Sequence, residues 1–324
     1  MAELRAMDSA LLNANLTNPT LLFFLLGIIA KLVKSDLEVP ATSAKFISLY
    51  LLFAIGFKGG QELTHSAMDG TIVASLVFGI VVAAAIPFYV FFLLRNKLGA
   101  QNAGAIAAAY GSVSAVTFVA ATGFLETREL TFGGHMVAIM ALMESPAIIV
   151  GMVLLERYDR TGSDHASLGR VIKHSLTNGS VLLLIGSLAI GLVADAKQAQ
   201  GIRPFTTDIF KGFLAIFLLE MGMVTAARFG AFRKYGLSAS ATAVLIPLVN
   251  GSLVAWSSGL VTPVVGDRFM FAVLAASASY IAVPAAMRLA APNADPGLYI
   301  PMALGITFPF NLMIGMPVYF AIIS

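Results

Sequence analysis

Glu144 lies near the middle of a long apolar run, about 131–156, two residues before Pro146. A carboxylate at that depth costs about 3 kcal/mol in lipid and ordinarily marks an ion or proton site. Ser145 and Thr117 can add oxygens, and the corresponding stretch near the C-terminus offers Thr307 and Asn311 around Pro309. Such oxygens suit a hard cation such as sodium. A protonated Glu144 bonded to a neighbouring helix is the other reading of the same residue.

Two further segments carry small polar residues at membrane depth: Gly111-Ser112-Val113-Ser114 and Ser277-Ala278-Ser279. Glycine and serine weaken a helix there, and the freed backbone groups must find protein, ligand or water. If both helices break, two half-helix N-termini face the midplane, where their N–H groups and dipoles attract an anion. Close helix packing uses the same small residues, so each segment alone fits either reading. Glu220 suits a gate residue and equally a structural hydrogen bond. Tyr280 can close over a ligand or simply pack. His65, His135, His165 and His174 are scattered and lack metal-ligand spacing. No Lys or Arg falls mid-run, so positive field for an anion must come from helix N-termini and a co-bound cation.

The elements that must hold these residues are membrane helices. Of 324 residues, 58% are hydrophobic and 11% charged, and mean hydropathy is +0.88. A soluble domain carries about 25% charged residues, so a soluble enzyme, a disordered chain and a nucleic-acid binder are excluded. The chain has no cysteine, which excludes disulfides, thiol catalysis and Cys-ligated metals. A span needs about 20 apolar residues. Ten runs qualify, at about 18–35, 40–57, 71–94, 101–125, 131–156, 177–194, 205–227, 236–258, 268–291 and 298–323. The first 17 residues show no cleavable signal pattern, and the first run is expected to act as an uncleaved insertion signal. The segment Ser167 to Leu176 is expected to form an amphipathic surface helix. With both termini outside, all but seven of the 20 Lys and Arg residues fall inside, the exceptions being Arg5, Lys58, Arg128, Lys197, Arg203, Lys211 and Arg268. The positive-inside rule favours that orientation.

The halves resemble each other. Tyr110-Gly111-Ser112-Val113-Ser114 in span 4 parallels Ser277-Ala278-Ser279-Tyr280 in span 9. Met140-Ala141-Leu142, Pro146 and Gly151-Met152 in span 5 parallel Met302-Ala303-Leu304, Pro309 and Gly315-Met316 in span 10. Five spans is an odd number, so the second half enters the membrane inverted, a common build for secondary transporters. The expected division is a first repeat over 1–156, a cytoplasmic linker over 157–176 and an inverted repeat over 177–324.

The run from Ala276 to Arg288 (ASASYIAVPAAMR), with Leu304 to Asn311 (LGITFPFN) and Gly315-Met316-Pro317, resembles the sodium-dependent bicarbonate transporter family. The resemblance covers essentially all ten spans. It implies an all-α integral membrane protein of ten helices in a five-plus-five inverted repeat, with discontinuous helices 4 and 9 crossing. It also implies a homotrimer in a bacterial plasma membrane, with a gate domain of spans 1, 2, 6 and 7 and a mobile core of spans 3–5 and 8–10. Carried across, Gly111, Ser112, Val113, Ser114 and Ala115, with Ser277, Ala278, Ser279 and Tyr280, surround bicarbonate. Ser114, Thr117, Glu144, Ser145 and Asn311 take sodium, the coupling ion, and no cofactor is implied. A nucleotide-binding, PII-like protein inhibits family members from the cytoplasm, but the loop between the halves is shorter here than in cyanobacterial members. The expected activity is sodium:bicarbonate symport. Symport of another small anion, such as an organic carboxylate, shares the same architecture. A non-transporting membrane receptor is the alternative from another class, and the expected want of an output domain argues against it. A membrane enzyme would need a catalytic pair in the spans, and none has suitable spacing.

Overall fold

The structure is a computed structural model that describes residues 19–64, 70–159, 169, 173, 177, 179–280, 282–291 and 293–324. The side chains of residues 20, 21, 180, 228–235, 237, 285, 288 and 289 lie outside that description. So do the first 17 residues, three of the four histidines and nearly all of the Ser167–Leu176 segment expected to be a surface helix.

Every regular element among the described residues is helical. In chain order these are α1 (Pro19–Leu32), α2 (Ala41–Thr64), α3 (Gly70–Gly111), α4 (Ala115–Glu126), α5 (His135–Tyr158), α6 (Gly179–Val193), α7 (Ala196–Arg203), α8 (Phe210–Ser257), α9 (Val265–Ala276), α10 (Ala282–Ala290) and α11 (Pro296–Ile323). Among the described residues, six helical stretches are long and apolar enough to cross a membrane, and two shorter apolar ones, Leu22–Leu32 and Val181–Val193, accompany them. The chain is a multi-pass membrane protein.

Two connections differ from the expectation. Spans 3 and 4 were expected as separate helices, as were spans 7 and 8. Each pair is two helices, as expected, but they meet at a kink at a single glycine rather than across a loop. Gly99 (φ 76°, ψ 163°) turns α3 and Gly236 (φ 75°, ψ −179°) turns α8. Both lie in the left-handed region, where a Cβ would be strained, so one residue does the work of a loop. Span 10 is also irregular. Met302–Thr307 and Asn311–Gly315 are wide turns flanking Pro309, which lacks the N–H that a regular turn needs. Pro146, its sequence counterpart, sits inside α5 without such widening.

Glycine also sets how closely helices approach. A Cβ on Gly27 would collide with the carbonyl of Leu219, and one on Gly222 with the carbonyl of Phe24. A Cβ on Gly60 would collide with the carbonyl of Leu188, and one on Gly191 with that of Phe57. In both pairs the obstructed carbonyl lies three residues before the partner glycine. Helix α1 therefore lies against the first half of α8 as α6 lies against α2. The Gln61 amide reinforces the second pair by donating to the carbonyls of Gly191 and Ala194 at the end of α6. Small residues at such contacts let backbones meet where lipid supplies no hydrophobic drive between helices.

The remaining helices pack around α3, α5 and α9. Gly151 of α5 faces Ala108, and Gly79 faces Ile139. Phe124 stacks on Phe269, and Phe320 meets both edge-on, where α9, α4 and α11 come together.

Candidate functional site

Two helices stop in the interior. Residues 112–114 separate α3 from α4, and described residues 277–280 precede α10. Both interruptions fall on the Ser-x-Ser segments. The reason is local: serine hydroxyls satisfy backbone groups that the helix no longer satisfies. Ser114 Oγ accepts from the Thr117 amide at 3.2 Å and so caps α4. Ser279 Oγ accepts from the Val283 amide at 3.3 Å in the same manner for α10.

The breaks also bond to each other. The Ser279 amide donates to the Ala109 carbonyl at 2.8 Å, and the Ser114 amide donates to Ser277 Oγ at 2.9 Å. Ser277 Oγ in turn donates to the Leu274 carbonyl at 2.8 Å. The free carbonyl of Ala276, at the end of α9, accepts from Asn311 Nδ2 at 2.7 Å, and Asn311 Oδ1 accepts from the Tyr319 hydroxyl at 2.9 Å. The Tyr110 and Thr307 hydroxyls lie 2.8 Å apart, and Thr307 donates to the Ala243 carbonyl at 2.7 Å. The junction of the two breaks is thus tied to α8 and α11 by buried polar bonds, each worth more when its loss strands a partner.

Beside the two breaks lies a cleft of about 550 Å³. Val113, Ser114, Ala115, Ser279 and Tyr280 line it together with Glu144 of α5. Ser48, Leu51 and Leu52 of α2 and Phe217 of α8 close its other side. The Glu144 carboxylate has no hydrogen bond or ion pair among the described residues, although it lies in the interior of an apolar bundle. The amides of Ala115 and Val116, at the start of α4, have no acceptor there either. An unpaired carboxylate and free amides thus border one space, an arrangement that can hold a cation and an oxyanion side by side.

The other expected site residues stand around this cleft rather than in it. Gly111 packs against the Pro87 ring. Ser112 is fully buried and its hydroxyl has no hydrogen-bond partner. Ser277 and Ala278 are buried in the second break itself. Thr117 is buried in the first turn of α4, and Ser145 is half-buried beside Glu144. Asn311 is buried, with both polar atoms of its amide already bonded. The wall formed by Ser48, Leu51, Leu52 and Phe217 escaped the sequence reading. Those residues are ordinary in an apolar helix, and no local spacing marks them.

A second cavity, of about 640 Å³, is lined by residues further along α2 and α4. On α2 its lining follows the cleft's in order: Ser48, Leu51 and Leu52 face the cleft, then Ala54, Ile55, Lys58 and Glu62 face the cavity. Helix α4 repeats the progression, from Val119 to Thr122 and Glu126.

No curated protein matches the sequence. The family model for the Na+-dependent bicarbonate transporter superfamily matches residues 19–324, which takes in both broken helices, Glu144 and the lining of both cavities, and the chain belongs to that superfamily.

Proposed function

We propose that this protein is a sodium:bicarbonate symporter that brings bicarbonate into the cell. The observation that carries the reading is the unpaired Glu144 carboxylate in the same cleft as the free amides at the start of α4. Sodium binds first, near Glu144 and Ser114, with Thr117, Ser145 and Asn311 completing or supporting its surroundings. Its charge then lets bicarbonate settle on the α4 N-terminus against Ser279 and Tyr280, with Gly111–Ala115 and Ser277–Ala278 shaping the floor. No buried Lys or Arg is needed, because helix dipole and sodium supply the positive field.

Transport follows an elevator-like alternating access, in which a core of α3–α5, the second half of α8 and α9–α11 slides along a gate of α1, α2, α6 and the first half of α8. The matched glycine contacts, α1 with α8 and α6 with α2, support a five-plus-five inverted repeat of ten spans, because an inverted repeat generates the same contact twice. The cavity with Lys58 and Glu62 is then the entrance from outside, with both termini on that side of a bacterial plasma membrane. A homotrimer and a cytoplasmic PII-like regulator complete the proposal on the strength of the family resemblance.

The test is labelled inorganic-carbon uptake into proteoliposomes at alkaline pH, with an inward sodium gradient against an equal potassium gradient and carbonic anhydrase as control for carbon dioxide leak. Saturable uptake with sodium alone is expected. Folded protein that shows no sodium-stimulated uptake refutes the assignment.

A further inference from the structure

Glu144 has a counterpart across the seam that symport chemistry leaves unused. Glu220 lies in the apolar first half of α8, half-buried. Phe217, three residues earlier, lines the cleft, and Met221 Sδ lies 3.9 Å from the Tyr280 hydroxyl. Positions 217, 220 and 221 share one helix face, so Glu220 is presented to the side of the crossing that carries Tyr280. Tyr280 lines the cleft with Ser114 and lies within electrostatic range of Glu220. No hydrogen bond or ion pair among the described residues holds the Glu220 carboxylate. A structural carboxylate in a membrane helix would have a partner.

Resting on the symport proposed above, we infer that Glu220 is a coupling residue: a fixed negative charge on the gate that discriminates between loaded states of the moving core. A core carrying bicarbonate alone has one more negative charge than either the empty core or the core holding one sodium and one bicarbonate. Passing a fixed carboxylate is therefore hardest for the anion-only core. A core carrying sodium alone has one more positive charge and is held back by attraction. Glu220 thus suppresses both uncoupled leaks while leaving the empty and doubly loaded forms free to move. It does so without binding either substrate.

The experiment compares wild type, Glu220→Gln and Glu220→Asp in proteoliposomes at alkaline pH, measuring bicarbonate uptake with and without sodium. Glu220→Gln is expected to keep sodium-driven uptake while raising sodium-free uptake about tenfold over wild type, the order of one charge interaction in a partly screened site. Glu220→Asp, which keeps the charge, is expected to remain strictly coupled. A residue that merely supported the fold would lower both rates and leave their ratio unchanged. If Glu220→Gln does not yield folded protein, Glu220→Met removes the charge and the polar group together and gives the same readout. Strict sodium dependence in the neutral variant, beside a coupled wild type, overturns this inference alone. A folded wild type without sodium-stimulated uptake overturns the symport reading and this inference with it.

Discussion

The Ser279 amide and the Ala109 carbonyl, 2.8 Å apart, join two helices that both end inside the protein. One lies just past the end of α9 and the other in the last turns of α3. The bond places the two breaks back to back, and the Ser114–Ser277 bond fixes their rotation. Ser114, Glu144, Ser279 and Tyr280 line the cleft beside that junction.

Replacing Ser277 by alanine leaves the Ser114 amide without its acceptor in a dry interior. Such a loss costs about 1–3 kcal/mol. Ser277→Ala is expected to lower the melting temperature of detergent-solubilised protein and to reduce uptake. Ser277→Thr, which keeps the hydroxyl, should recover most of both. Equal melting of Ser277→Ala and wild type would show that the junction does not depend on this bond.

Glu144→Gln removes the charge but keeps the size of the side chain. Apparent sodium affinity is expected to fall about tenfold or more, as for the loss of one nearby charge, while thermal stability holds or rises because a buried unpaired charge is gone. A sodium titration of uptake decides. Unchanged half-saturation by sodium would remove Glu144 from the ion site.

Asn311 gives the opposite pattern. Its amide bridges the Ala276 carbonyl and the Tyr319 hydroxyl. Asn311→Ala strands the Ala276 carbonyl and leaves the Tyr319 hydroxyl with the Pro247 carbonyl alone, so a destabilisation of about 2 kcal/mol is expected. Tyr319→Phe should show a smaller loss, since it removes only the hydroxyl that also reaches the Pro247 carbonyl. Thermal denaturation of the two variants measures the difference. A large shift in sodium affinity without destabilisation would make Asn311 a ligand first.

Gly222→Leu and Gly60→Leu each drive a side chain into a facing carbonyl. Overpacking costs about 1–3 kcal/mol where neighbours can shift, and here the neighbour is backbone, so each variant is expected at the upper end or beyond. Gly186→Leu, with open space around it, is the control. Folded yield and melting temperature should separate the first two from the third.

Much of this was legible because membrane burial makes a few residues conspicuous. Glu144 stood out as a charge in an apolar run, and the Ser-x-Ser segments as helix-weakening residues at depth. Both breaks fall there. The single-glycine kinks were missed because Arg95 to Ala100 falls between two apolar runs, whereas the helix continues to Gly99 and only that residue leaves the helical region. The cleft's outer wall was also missed. Leu51 and Phe217 are apolar residues in apolar helices, and only long-range packing brings them opposite Ser114 and Tyr280. Asn311 and Thr307 were read as free oxygens. Their partners, Tyr319 and the Ala276 and Ala243 carbonyls, become visible only once α8, α9 and α11 are placed together.

The reciprocal three-residue offset of the paired glycines has a mechanical consequence. Shifting either helix by one residue along its partner would bring a side chain to the place where only hydrogen now fits. Neither pair can shear easily, because at the paired glycines backbone meets backbone and no rotamer change relieves the contact. Each pair behaves as one stiff beam of fixed register. Compliance is left to the seam lined by Leu51, Leu52, Val119 and Phe217, whose side chains can slide past one another.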